Sequence, residues 1–116
     1  MAHPREGDRI LLLRREWLDL VIDRVKTLEI HGAKLKGANY FLGCRGQIHG
    51  YVKLGDAIPI RTSEEWNALR LEHCVDGDAP YKTTFAIPIK CVKRMKRPFD
   101  YVHPRGAIGI VKYHSR

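Results

Sequence analysis

Apolar and polar positions change their period several times along the chain, and each change predicts an element. Ile10-Leu11-Leu12-Leu13 is a continuous apolar run of the length of a buried strand. From Glu16 to Val25 the residues Trp17, Leu18, Leu20, Val21, Ile22 and Val25 fall at helical spacing, which predicts a short amphipathic helix. The period then drops to two in Arg24-Val-Lys-Thr-Leu-Glu-Ile-His31, a strand that ends at Gly32. If it is regular, Lys26 lies on the side of Leu28 and Ile30, while Thr27, Glu29 and His31 share the polar side.

Between Gly32 and Gly46 glycine recurs around Tyr40-Phe41-Leu42, as it does at tight turns and close backbone approaches in a curved sheet. Gln47 to Ile60 reads as one long strand bent at Gly50 and Gly55-Asp56. Thr62 or Ser63 is suited to cap a second helix with Glu64 and Glu65 in its first turn and Trp66, Leu69 and Leu71 as its apolar set, ending near His73. Cys74 to Pro80 is turn chemistry. Tyr81 to Met95 is the longest strand candidate, with Pro88 expected at a bulge or an edge. Arg97 to Tyr101 reads as a connection, and Ala107 to Tyr113 as the closing strand. Five to six short strands with two or three short helices are too few helices for a parallel doubly wound sheet. They predict an α+β fold built on a small closed β-barrel.

The 116 residues suffice for one core, so a single domain is expected from residue 9 to residue 116, with residues 1–8 a flexible lead-in. No segment approaches a membrane span, and the start has no apolar leader, so a cytoplasmic protein, or a nuclear one in a eukaryote, is expected. Cys44, Cys74 and Cys91 are odd in number and without a Cys-x-x-Cys pair. They are expected as reduced thiols, two of them in the core. No metal constellation, phosphate-binding glycine loop, dinucleotide fingerprint or zinc-deaminase motif is present, so no metal and no cofactor is expected.

Charge alters the picture. Twenty-one Lys and Arg against thirteen Asp and Glu give +8 and a pI near 9.7, the balance of a protein that meets phosphates. Lys34, Lys36 and Arg45 form one basic group; Lys90, Lys93, Arg94, Lys96 and Arg97 form another. Arg45, Lys82 and Lys90 are candidates for a basic wall, and Tyr40, Tyr81 and Tyr101, next to turn residues, are candidates for exposure. Trp17, Tyr40 or Tyr81 is available for stacking, as single-strand sites require, with Tyr40 or Tyr81 expected to supply the face, because Trp17 and Trp66 belong to apolar helix faces and are expected in the core.

The helix followed by Arg24-Val-Lys26-Thr-Leu-Glu29-Ile-His31 resembles the ASCH family (activating signal cointegrator homology), whose motif after the first helix is Gly-x-Lys-x-x-Glu-x-Arg. Tyr40 to Val52 is similar to that family's pair of barrel strands, and Arg97 to Tyr101 with Arg105-Gly106-Ala107 to its closing segment. Lys26 and Glu29 match; Arg24 replaces the family's glycine and His31 its arginine. The resemblance implies a PUA-like barrel with a cleft between the first helix and the barrel, lined by the Lys-x-x-Glu strand, and a link to RNA or nucleotides. The partner implied is therefore RNA, a single-stranded nucleic acid or a nucleotide.

On that reading Lys26 neutralises a phosphate or orients a base carbonyl, Glu29 accepts from an exocyclic amine or sugar hydroxyl, and His31 completes the strand's polar set. A hydrolase is the alternative. Some small members of the superfamily hydrolyse the amide of N4-acetylcytidine with a strand lysine, a threonine three residues on and a distant glutamate; here the lysine is Lys26, the third position on is Glu29, and these two would be the catalytic pair. Other members are taken for ribonucleases, for which histidines would act as acid and base. A protein-interaction module using the basic surface on an acidic partner is the third class. Oligomeric state is left open.

Overall fold

The computed structural model describes residues 3–115. They form β1 (Arg9–Leu12), α1 (Arg15–Ile22), β2 (Leu28–His31), β3 (Asn39–Cys44), β4 (Gln47–Leu54), β5 (Ile58–Ile60), α2 (Ser63–Ala68), α3 (Arg70–His73), β6 (Thr84–Asp100) and β7 (Ile110–Lys112). The strands make one curled half-barrel sheet in the order β2-β6-β4-β3-β1-β7, with β5 also paired to β6. The β1–β3 pair is parallel and the others antiparallel. The result is an α+β, PUA-like half-barrel. Its ladder path has two ends, β2 and β7, where a fully closed barrel was expected.

Helix α1 has only eight residues, too few to hold itself in water, and its stability comes from packing. Leu18, Val21 and Ile22 are buried against Leu42, Val52, Ile87 and Val92 of the sheet. Each such side chain contributes roughly 1.5–3 kcal/mol of apolar burial. Gly50 permits the close fit: a Cβ there would lie 2.7 Å from the Lys93 carbonyl oxygen and 3.7 Å from the Ile22 methyl. On the opposite face, Ile10, Phe41, Ile48 and Met95 pack with Tyr101 and Tyr113. A third cluster joins Leu28, Ile30 and Ala86 to Trp66, whose indole donates to the Gly77 carbonyl at 2.8 Å.

Several boundaries differ from the sequence expectation. The bend at Gly55-Asp56 separates β4 from β5, and the second helix breaks at Leu69, where φ is −100° and ψ 10°. Thr62 caps α2 by accepting from the Glu65 N–H at 3.1 Å. Strand β6 continues to Asp100 and absorbs the segment expected as a connection. Beyond Ile89 it pairs with β4 alone, so Pro98 sits in a strand with one partner. The bulge expected at Pro88 falls at Cys91, which has φ 53° between the Lys53–Lys90 and Tyr51–Lys93 pairs. Of the lead-in, residues 1 and 2 lie outside the described residues. Pro4 is buried, and Glu6 accepts from the Ser115 N–H and hydroxyl. Only Cys44 is a core thiol; Cys74 is half-buried and Cys91 exposed, where two core cysteines were expected. Among the described residues no helix is long and apolar enough to cross a membrane.

Candidate functional site

The site is made where the chain leaves α1. Arg24 takes φ 61°, reversing the chain, and the N–H groups of Val25 and Lys26 both donate to the Leu20 carbonyl, at 2.9 and 3.0 Å. Thr27 then bridges two elements: its N–H donates to the Glu72 carbonyl and its carbonyl accepts from the Ile89 N–H, both at 2.9 Å. Strand β2 begins only at Leu28. Lys26 therefore belongs to the turn, and strand alternation does not govern its direction.

Its side chain runs inward. Lys26 is 2% exposed, and its Nζ donates to the His73 carbonyl at 2.5 Å, lies 3.9 Å from Glu29 Oε1 and sits 5.1 Å from the centroid of the Trp17 ring. Glu29 is 6% exposed; Oε1 accepts from the Ile30 N–H at 3.1 Å, and Oε2 lies 3.8 Å from His31 Nε2. Burial pushes the Lys26 ammonium below its ordinary range, opposed by the Glu29 charge and the Cys74 thiol. Burial pushes the Glu29 carboxyl upward, opposed by Lys26 and the Ile30 N–H. Burial likewise lowers His31. The three side chains form a polar line from beneath α1 to the partly open His31.

The polar face expected for β2 is thus covered. Glu29 stands opposite Ile87 and turns toward the α1 side of the sheet, while Leu28 and Ile30 turn toward Ala86 and Trp66. Tyr81, 48% exposed, lies against the residue after His31: a Cβ on Gly32 would be 3.0 Å from its ring. Lys82, next to it, is exposed. Tyr40 corrects the sequence reading, because it is 1% exposed, belongs to the α1-side core and spends its hydroxyl on the Lys36 carbonyl at 2.8 Å. It offers no stacking face, and Tyr101, 2% exposed with its hydroxyl against His103, offers none either. Arg45 sits at φ 51° in the β3–β4 turn, at the Asp100 end of β6, far along the sheet from the Ile89 level where Lys26 enters. Lys90 is exposed on β6 opposite Lys53.

Two further residues take part in ways the sequence does not signal. Trp17 packs against the core and also offers its ring to the ammonium, and His73 supplies the carbonyl that Lys26 meets. His73 stacks on Trp66 at 3.8 Å and is fixed as a neutral tautomer: Nδ1 accepts from the Val75 N–H at 2.9 Å, so Nε2–H donates to the Trp66 carbonyl at 3.0 Å. Beside the Lys26 turn opens a cleft of about 360 Å³ lined by Arg24, Thr27, Ile89, Cys91 and Lys93. Nothing in the sequence distinguishes His73 from the other histidines, since its role is a backbone contact.

No family model matches the chain, and no curated protein matches it. Among solved structures it is similar to a mutant of ZmASCH from Zymomonas mobilis, with a TM-score of 0.73 over 97% of this chain and 92% of that chain, at 11% identity. The chain has the fold of an ASCH protein. The Lys26 turn and the Glu29 strand follow the first helix in the order of the motif that the sequence resembles. The family's motif glycine falls at Arg24, whose positive φ is the conformation glycine adopts without a Cβ clash.

Proposed function

We propose that the chain is a binding module for a nucleobase-bearing ligand, an RNA, a single-stranded nucleic acid or a modified nucleotide, with its selectivity at Glu29, His31 and Tyr81. The observation that carries this reading is a buried carboxylate that lies 3.8 Å from the partly open His31, next in sequence to Gly32, which packs on the exposed Tyr81 ring. A buried carboxylate rewards a matched donor, such as an exocyclic amine or a sugar hydroxyl, because an unmatched partner leaves it unsatisfied. Lys26 is the positioning residue that holds Glu29; with its ammonium enclosed, the phosphate role falls to exposed cations such as Lys82 and to the +8 field of the whole chain.

One observation favours the hydrolase alternative: burial displaces Lys26 downward and Glu29 upward, the opposed displacement that acid–base chemistry uses. Such an enzyme would use Glu29 on a water and Lys26 on the amide carbonyl of N4-acetylcytidine. A two-histidine ribonuclease is less well supported, because both ring nitrogens of His73 are occupied and His31 is the one histidine at the site.

The test is a binding titration with single-stranded RNA and N4-acetylcytidine, run beside a turnover assay with the same compounds. Saturable, salt-sensitive binding without product, weakened by Glu29→Gln and Tyr81→Ala, is expected. Product that requires both Glu29 and Lys26 would replace the module with the hydrolase, and binding indifferent to Glu29→Gln and Tyr81→Ala would remove the site.

A further inference from the structure

The face of the sheet opposite α1 is covered in two places, by Trp66 at one end and by Tyr101 and Tyr113 at the other. Between them lies a cleft of about 550 Å³, lined by His3, Arg5, Asp8, Asn39, Phe41 and Tyr51. Its size is that of a small-ligand pocket. Its floor is aromatic: the half-buried Tyr51 ring meets Phe41 edge to face, with centroids 5.3 Å apart and an interplanar angle of 65°.

The register supplies the charge. Lys53 stands directly opposite Asn39 on β3 and Lys90 on β6, and Tyr51 directly opposite Phe41 and Lys93. Residues opposite one another in a ladder share a face. Lys53 and Lys90 therefore continue, on the face of the aromatic floor, the row that begins at Asn39 in the cleft; Arg5 lines the cleft, and Lys93, opposite Tyr51, also borders the cleft beside Lys26. Two lysines opposite one another are unfavourable to the fold. The defence of an open edge does not explain Lys53, since β4 is an interior strand between β3 and β6. Among the described residues none of these four cations pairs with a carboxylate. The arrangement is complete once an anion arrives.

We infer that this face carries a second site, separate from Glu29 and Lys26, for a nucleoside phosphate: the base lies on Tyr51, its polar edge meets the Asn39 amide or the Asp8 carboxylate, and the phosphate sits among Lys53, Lys90 and Arg5. Asp8 already accepts from the Arg5 N–H through Oδ2, at 2.8 Å, which leaves Oδ1 for an exocyclic amine. The same chemistry is offered by a free nucleotide and by a single strand of nucleic acid.

The two sources are separated by titrating isotope-labelled protein with adenosine monophosphate and, independently, with a short oligoadenylate, following backbone amide shifts. Shifts centred on Asn39, Phe41, Tyr51 and Lys53 are expected. Saturation by the mononucleotide assigns the site to free nucleotides, and saturation by the oligomer alone assigns it to a strand. The double variant Lys53→Glu with Lys90→Glu, both exposed positions, should weaken binding about tenfold or more, as should Tyr51→Leu through the loss of stacking. Tyr81→Ala, which removes the exposed ring of the first site at little cost in stability, should leave these shifts in place, which separates this site from the one beneath α1. Absence of shifts with both ligands, or undiminished binding by the charge-reversed variant with a native amide spectrum, would overturn the inference. Equal displacement by polyglutamate would also overturn it and make the face a docking patch for acidic protein segments.

Discussion

The Lys26 ammonium and the Glu29 carboxylate face each other at 3.9 Å, both closed off from water, although strand alternation alone would place them on opposite sides. Removing one partner strands the other charge. Lys26→Met should destabilise the fold by roughly 3–5 kcal/mol, whereas the double variant Lys26→Met with Glu29→Leu should lose clearly less than the two single variants combined. Urea denaturation of the four proteins measures the coupling; strictly additive losses would mean that the pair does not interact.

Stability should fall as pH drops below 6.5. Burial lowers the folded-state value of His73, and also those of His31 and His49, so the unfolded chain binds the proton first and the native state loses ground until the folded value is reached. One such group accounts for at most about 1.4 kcal/mol per pH unit. Glu29 works the other way at lower pH, because its raised folded value lets the native state take up the proton first. The His73 share is read from His73→Gln: the stability gap to the parent protein should be wider at pH 7.5 than at pH 5.5. A constant gap would show that His73 does not titrate differently on unfolding.

Arg24 offers a backbone test. Its φ of 61° costs an L-residue roughly 1–2 kcal/mol, while its guanidinium donates to the Val92 carbonyl at 3.0 Å. Arg24→Ala keeps the strain and loses the bond, and should destabilise by about 1 kcal/mol. Arg24→Gly loses the bond but relieves the strain, and should lie closer to the parent in thermal denaturation. The reverse order would mean that the side chain, not the backbone, governs this turn.

Tyr40 and Tyr81 should separate cleanly. Tyr40→Phe removes a buried hydroxyl donor and should cost about 0.5–1.5 kcal/mol of stability without changing affinity for single-stranded RNA. Tyr81→Ala should leave stability nearly unchanged and weaken that affinity. Calorimetry on both variants checks this, and a loss of affinity in Tyr40→Phe would return Tyr40 to the binding surface.

The contrast between these tyrosines shows what was legible in the sequence. The order of elements, the Thr62 cap and the Lys-x-x-Glu motif could be read directly, because periodicity and turn chemistry act locally. Tyr40 was misread because every residue of β3 after Asn39 is buried, with α1 covering one face and the Tyr101–Tyr113 cluster the other. Alternation cannot signal a strand covered on both sides. Lys26 and Glu29 were placed apart because a period of two was extended two residues beyond the strand's start. The Asn39–Lys53–Lys90 and Phe41–Tyr51–Lys93 rows were hidden for a related reason: they join three strands in a register, with a bulge at Cys91, that no local pattern encodes.

Among the described residues, strand β6 is the only ladder partner of β2 and of β5, and it joins both to β4. During synthesis the ribosome releases β2 well before Thr84 exists, so the Lys26–Glu29 strand waits without a neighbour while the chain lengthens at about 5–20 residues per second. Up to then the emerging chain can assemble only β1, β3 and β4. The β2–β6–β4 side of the half-barrel is therefore completed late, with β7 joining β1 after it, and a ribosome stalled before β6 would present β2 and β5 as unpaired strands for chaperones to recognise.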